Sequence, residues 1–274
     1  MPETSLPSSR DVIVLRVGPS GREERQDVTA VEEPLEIRLQ GSSFIVTMRT
    51  PGADRDLVAG FLLSERLIHS SDDIRSIRHC ENAAEAGNVI DVTLTGAAAE
   101  RVEGFLAARR LVMATSACGV CGRRSIDDLV QAIPRIHDRC TVSAHVITSL
   151  PAWLRAVQDT FAETGGLHAA ALFGRDGTLV AAAEDVGRHN AVDKVIGAQL
   201  LTGAVPLGGH ILFVSGRTSF EIVQKAVLAG VPVVAAISAP SSLAVELARE
   251  ARLTLIGFVR GGSFNVYTEA ARVE

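Results

Sequence analysis

The second half of the chain alternates short apolar runs with segments of helical period, and that alternation limits the fold more than any other feature. Ile211–Val214, Val231–Ile237 and Leu253–Val259 have the length and β-branched content of buried strands. Between and before them, Ala191–Leu201, Phe220–Ala229 and Leu243–Arg249 repeat apolar residues at helical spacing. A final strand is expected at Phe264–Thr268. A hairpin is expected upstream, from His168–Gly174 through Arg175-Asp176-Gly177 to Thr178–Ala183. The pattern predicts a mixed sheet flanked by helices. Ahead of it, Ala152–Thr164 reads as a helix with Pro151 in its first turn, a stripe of Trp153, Val157 and Phe161, and Gly165-Gly166 as its stop.

The first half has a different rhythm. Asp11–Val17 reads as a strand closed by Gly18-Pro19-Ser20-Gly21, and a charged loop leads to the next strand. Glu36–Leu39 and Phe44–Met48 flank Gly41-Ser42-Ser43 as a hairpin, Asp54–Ile68 has helical period, Val89–Leu94 is a further strand, and Arg101–Arg110 a helix. The expected class is α/β, or α+β taken over the whole chain. Its expected organisation is a smaller N-terminal α+β domain at 1–114, a linker at 115–145, and a C-terminal α/β domain at 146–274.

Composition narrows the function. With 274 residues, 47% of them hydrophobic, the chain can bury a large core, and its net charge of −5 argues against general nucleic-acid binding. No apolar run reaches the length of a membrane span, and the first ten residues lack an apolar signal core, so a cytoplasmic location is expected. Four cysteines in a chain of this length do not make a disulfide scaffold.

Two of those cysteines stand in Thr115-Ser116-Ala117-Cys118-Gly119-Val120-Cys121-Gly122, followed by Arg123 and Arg124. The glycines leave the sulfurs unshielded and the arginines favour thiolate over thiol, the state that acts as a nucleophile. The competing reading is structural zinc: His137 and Cys140 complete a C-x2-C-x15-H-x2-C spacing. A thioredoxin-like redox pair would need a strand before it and a helix after it, which the flanking sequence does not offer. Cys80 and Cys140 read as buried structural thiols.

Three further segments suit an anionic ligand. Glu184–Lys194 sets seven polar or ionisable side chains in eleven positions between a strand and a helix. There Asn190 could cap the helix while Arg188, His189 and Lys194 meet an anion at its N-terminus. Ser215-Gly216-Arg217-Thr218-Ser219 repeats the strand, polar turn and helix arrangement. Phe258-Val259-Arg260-Gly261-Gly262-Ser263 offers an arginine beside backbone that can approach a flat ring, although by itself it reads better as a plain hairpin turn with an exposed Arg.

One absence is informative. His168-Ala169-Ala170 and Pro240-Ser241-Ser242-Leu243-Ala244 resemble, loosely, the H-x-E and P-C-x-x-C elements of zinc nucleoside deaminases. Ala170 stands where the proton-shuttling glutamate belongs, and Ser241 and Ala244 where cysteine ligands belong. A deaminase-like scaffold without deaminase activity is expected.

Taken together, the Cys118–Cys121 run, Asp185–Lys194, Ser215-Gly216-Arg217, Ser238–Val245 and Gly257–Arg260 make the chain resemble the FdhD family of formate dehydrogenase accessory sulfurtransferases. Ala117 and Arg123 depart from the residues more usual in that family. The resemblance lowers the zinc reading. It implies a carrier that takes persulfide sulfur from a cysteine desulfurase and passes it to the molybdenum cofactor in its bis(molybdopterin guanine dinucleotide) form, which a guanine nucleotide can mimic. It further implies a link to formate dehydrogenase, a homodimer, and a deaminase-like C-terminal domain. On this reading Cys118 accepts the sulfur and Cys121 assists, either by displacing it as sulfide and closing a disulfide or by sharing it until the metal takes it; exchanged roles stay open. Arg260 with Phe258, Val259, Gly261, Gly262 and Ser263 would hold the nucleotide end, with His189, Asn190, Ser215 and Arg217 in support. The rival is a non-catalytic cofactor chaperone whose CxxC binds structural zinc.

Overall fold

The computed structural model describes residues 7–80, 87–110 and 133–274. It opens on a ribbon of two antiparallel strands, β1 (Ser9–Gly18) and β2 (Gly21–Ala30), paired from Ser9↔Ala30 to Gly18↔Gly21. The charged segment expected as a loop is therefore itself a strand. Its side chains from Arg22 to Gln26 are all exposed, so the ladder is satisfied by backbone while the charges stay in water.

A four-stranded sheet follows. It comprises β3 (Glu33–Leu39), β4 (Ser42–Arg49), β5 (Ile74–His79) and β6 (Val89–Leu94), in the order β4-β3-β6-β5. Gln40 and Gly41, both at positive φ (52° and 73°), make the tight turn between β3 and β4. Strand β5, four of whose six residues are Arg, Ser or His, gives no apolar alternation to read and owes its place to pairing with β6. Helix α1 (Asp54–Ser64) stops four residues short of the expected Ile68. The stop is a C-terminal wrap: Arg66 turns left-handed (φ 59°), and the N–H groups of Arg66 and Leu67 bond back to Leu63 O and Leu62 O. Helix α2 (Gly96–Arg110) begins five residues earlier than expected.

The second half forms a six-stranded sheet of order β12-β11-β10-β9-β7-β8. Its strands are β7 (His168–Gly174), β8 (Leu179–Asp185), β9 (His210–Val214), β10 (Val233–Ala236), β11 (Thr254–Arg260) and β12 (Ser263–Val266). Strands β9, β10 and β11 are parallel, joined by helices as the alternation requires, while β7, β8 and β12 supply the antiparallel pairings. Ahead of this sheet the expected single helix is two. Helix α3 (Ala144–Ala156) is capped by Ser143 and carries Pro151 in its interior; α4 (Asp159–Thr164) ends at Gly165, φ 66°. Trp153 does not lie on the buried stripe but is 55% exposed; Ile147, Leu150 and Leu154 face inward instead. The first-turn N–H groups of α4, at Thr160 and Phe161, donate to the Glu184 carboxylate, which gives this short helix its own start.

Helices α5 (Arg188–Leu201), α6 (Phe220–Leu228) and α7 (Ser242–Glu250) cover one face of the large sheet. Their apolar residues form one continuous core with those of α1 and the four-stranded sheet, from Leu35, Ile37 and Ile90 through Leu62 to Ile196, Leu212 and Val234. Helix α3 covers the other face, over Phe173, Phe213 and Ile256. Helices α1 and α5 cross backbone to backbone: a Cβ on Gly197 would overlap the Asp56 carbonyl, and one on Gly60 the Asp193 carbonyl. Three buried ion pairs lock this contact zone. Arg49 forks onto Asp54 (2.9 and 3.0 Å), Lys194 meets Asp185 (2.7 Å), and Lys225 meets Asp193 (2.8 Å), which also accepts from Ser64 Oγ.

Candidate functional site

The parallel strands β9, β10 and β11 all end on one edge of the large sheet, and the antiparallel register of β7 with β8 brings His168 and Asp185 to the same edge. That edge is where ligands enter open sheets of this kind. The loops there are stitched side by side. The Ala169 N–H donates to Ser215 Oγ (2.9 Å), Thr218 N–H to Ala239 O (3.2 Å), Ser241 N–H to Thr218 O (3.0 Å), and Phe258 N–H to Ser238 O (3.1 Å). Segments scattered from residue 168 to residue 263 thus become one surface.

Its chemistry favours an anion. Helices α5 and α6 both start on this edge, after Gly187 and Ser219, and neither cap residue makes a side-chain cap hydrogen bond; a helix start of this kind offers backbone N–H groups to an anion. His168, Arg188 and His189 gather beside them. Gly216 leaves the gap between the first two, since a Cβ there would stand 3.3 Å from His168 Nδ1 and 3.7 Å from Arg188 Cδ. Burial first, then the charges of Arg188 and His189, hold the His168 imidazole below its ordinary pKa. His189 Nε2 lies 2.9 Å from Glu221 Oε2 and 3.1 Å from Ser219 Oγ, and that hydrogen bond is the main reason the Glu221 carboxyl sits below its usual range. At this edge two donors have no hydrogen-bond partner among the described residues: the buried Arg188 Nε and the hydroxyl of the fully buried Thr218. Unpaired buried donors cost free energy unless a ligand or water completes them.

The expected site residues divide. His189 and Ser215 lie in this cluster, the latter with its hydroxyl engaged by Ala169, and Arg217 is exposed at its rim. Asn190 does not cap α5. The cap position is Gly187, and Asn190 donates to Met48 O (2.8 Å) and Asp185 Oδ1 (3.0 Å), fastening β4 to the edge. Lys194, expected beside an anion, is buried on Asp185, Thr50 O and Glu184 O. Phe258 lies inside β11 at the bulge in its pairing with β12, at φ 56°, a strained position for a bulky residue. The Arg260 guanidinium lies 5.3 Å from the Phe258 ring centroid. Gly261 and Gly262 are exposed at positive φ, Ser263 Oγ donates to Arg260 O (3.2 Å), and Val259 is buried in the core under α3.

The Cys118–Cys121 run lies outside the described residues. His137 is exposed, and Cys80 and Cys140, expected as buried thiols, are both half-buried. Desolvation and the neighbouring Asp138 push the Cys140 thiol up, away from the thiolate. Among the described residues no cluster of His, Cys, Asp or Glu is arranged to hold a metal. Thr218 and Glu221 were not singled out from sequence. The polar turn flagged the segment, but which of its hydroxyls is buried is a matter of loop packing.

The FdhD/NarQ family model matches residues 30–274. The chain belongs to the FdhD/NarQ family. The β1–β2 ribbon lies almost wholly ahead of that match. A protein named sulfur carrier protein FdhD from Nocardia farcinica is 53% identical over 266 residues, covering 95% of this chain and 93% of the relative. One of the same name from Mycobacterium tuberculosis is 48% identical over 263 residues, 91% and 92% of the two chains. A crystal structure described as a formate dehydrogenase accessory protein, from Desulfotalea psychrophila, superposes with a TM-score of 0.77 at 25% identity, over 98% of this chain and 100% of that one. The fold is that of this neighbour, a mixed α+β arrangement of several sheets. No helix among the described residues is long and apolar enough to cross a membrane.

Proposed function

We propose that this FdhD/NarQ protein is a sulfur carrier serving formate dehydrogenase, working in the cytoplasm as a homodimer. Cys118 is its acceptor. The Cys118 thiolate attacks the terminal sulfur of a cysteine desulfurase persulfide; a new S–S bond forms on Cys118, the donor's S–S bond breaks, and the donor leaves as thiolate. Cys121 attack on Cys118 Sγ then closes a Cys118–Cys121 disulfide and releases the outer sulfur as hydrosulfide, which needs no further oxidant. Transfer straight from the persulfide to the metal is the alternative.

The substrate receiving that sulfur is the bis(molybdopterin guanine dinucleotide) molybdenum cofactor. One observation carries its placement: the unpartnered Arg188 Nε and Thr218 hydroxyl stand beside two uncapped helix starts. Those groups fit a pyrophosphate, with Arg188, His189 and Thr218 donating, while Phe258 and Arg260 on the same edge offer a face and a guanidinium for the guanine. GDP is the convenient mimic. The scaffold under this site reads as deaminase-like, with the chemistry removed: Ala170 and Ala244 are fully buried, and Ser241 is spent capping α7 through Ala244 N–H. The division into 1–114, 115–145 and 146–274 belongs to the same proposal.

The deciding experiment is the intact mass of the protein after incubation with a cysteine desulfurase and L-cysteine, beside Cys118→Ala. A gain of sulfur that reductant removes, absent in the variant, supports the carrier. No gain, with one zinc per chain, replaces it by the zinc-stabilised chaperone.

A further inference from the structure

The opposite edge of the large sheet, where β7 ends at Gly174 and β9 begins after Gly209, carries a groove unrelated to the cofactor site. Two clefts of about 710 and 400 Å³ meet at Asp138. The first is walled by Arg139, Cys140, Arg175 and Asp176 over a floor of Gly174 and Gly209; the second, by Pro134, Arg135, His137, Pro206 and Leu228.

The groove is built rigidly. Its wall, 134–142, is pinned by Ile136 N–H to Ala251 O (2.8 Å), Val142 N–H to Arg272 O (2.8 Å), and the Arg272 guanidinium to Asp138 O (2.9 and 3.1 Å). Glycine keeps it open, since a Cβ on Gly208 would stand 2.9 Å from Asp138 Oδ2 and one on Gly174 2.8 Å from Asp176 Oδ1. Its charges are unequally occupied. Asp138 is spent on the N–H groups of Cys140 (2.7 Å) and Gly209 (2.6 Å), and Asp176 on Thr178 N–H (3.0 Å). Arg135, Arg139 and Arg175 are exposed and make no hydrogen bond or ion pair among the described residues. In a chain of net charge −5, three exposed guanidiniums outnumber the two cleft aspartates, Asp138 and Asp176, so that a cleft with an apolar end is locally positive.

We propose that this groove docks an acidic, extended segment of a partner protein, carboxylates meeting Arg139 and Arg175 and an apolar residue seated between Pro134, Pro206 and Leu228. Guanidinium forks suit carboxylates, and charge of this kind governs encounter rate and partner choice. A carrier that meets proteins here keeps its cofactor edge free, yet the inference stands without the cofactor reading.

The test uses the full chain and a fluorescein-labelled Glu-Leu-Glu-Glu-Leu-Glu peptide, read by anisotropy. Saturable binding is expected that weakens at least tenfold in Arg139→Glu/Arg175→Glu, weakens with added salt, and is unchanged in Arg249→Glu on α7. As a second readout, in a Cys118→Ala/Cys121→Ala background the peptide should slow alkylation of Cys140, which lines the groove. The proposal fails if wild type shows no saturable binding, if Arg249→Glu weakens it equally, if inorganic phosphate at equal concentration displaces the peptide, which would mark a small-anion site, or if Cys140 alkylation is unaffected.

Discussion

Asp185 is fully buried, and its two oxygens accept from four donors drawn from two parts of the chain. Oδ1 takes Gly187 N–H (2.8 Å) and Asn190 Nδ2 (3.0 Å); Oδ2 takes Thr50 N–H (3.2 Å) and Lys194 Nζ (2.7 Å). Replacing it with Asn keeps the shape but turns one acceptor into a donor facing two donors. Lys194, nearly as buried, keeps only the carbonyls of Thr50 and Glu184 and loses its counter-ion. Removing one member of a buried pair costs about 3–5 kcal/mol, a large share of the roughly 5–15 kcal/mol that holds a typical domain. For a chain of this size about 2–4 °C accompanies each kcal/mol, so Asp185→Asn should lower Tm by roughly 6–20 °C. Urea unfolding at neutral pH measures the same loss. The reasoning also predicts partial recovery in Asp185→Asn/Lys194→Met, because the uncompensated ammonium is then gone. A single-variant loss below about 1 kcal/mol, or a double variant less stable than the single by the full cost of Lys194→Met, would refute the hub role.

Other expectations follow from the same coordinates. His168 has its folded pKa below the ordinary 6.5, so folding disfavours its protonation; the stability it adds is whole above 6.5 and is lost as pH falls from there through the lower folded value. Urea midpoints against pH should therefore slope less in His168→Gln than in wild type, and GDP, by neutralising Arg188 and His189, should raise the His168 pKa seen by NMR. Thr218→Val removes an unpartnered hydroxyl at nearly constant shape, so the free protein should be as stable or up to about 1–2 kcal/mol more stable while GDP affinity by calorimetry falls; unchanged affinity removes Thr218 from the site. Gly197→Ala gains about 1 kcal/mol of helix propensity, yet it must force α1 away from α5 and should destabilise overall by about 2 kcal/mol or more in urea melts. A neutral outcome would mean that the helices part without loss of packing.

What could be read along the chain was whatever neighbours in sequence decide. The alternation from His168 to Val266, the turn at Arg175-Asp176-Gly177, the stop at Gly165 and the hairpin at Gly41, whose turn proved to be Gln40-Gly41 rather than Gly41-Ser42-Ser43, all depend on side-chain period and backbone preference within a few residues. The cysteine run is legible as a motif for the same reason, although it lies outside the described residues. Where sequence reading went astray, the deciding partner was remote. β2 is a strand because β1 pairs with it, not because its charged residues favour one. In the polar run 184–194, Asn190 reads as a helix cap and Arg188, His189 and Lys194 as anion contacts, but contacts with residues 48–50 and 225, on other elements, occupy Asp185, Asn190, Asp193 and Lys194 and leave Arg188 and His189 at the sheet edge. The lone Thr218 hydroxyl, the Gly60–Gly197 crossing and the arginine groove exist only once strands and helices far apart in sequence are brought together. Local sequence sets the elements because hydrophobic period and turn geometry act over a few residues; the tertiary structure decides which polar groups serve the fold and which stay free to act, because burial and electrostatic pairing are properties of neighbours in space.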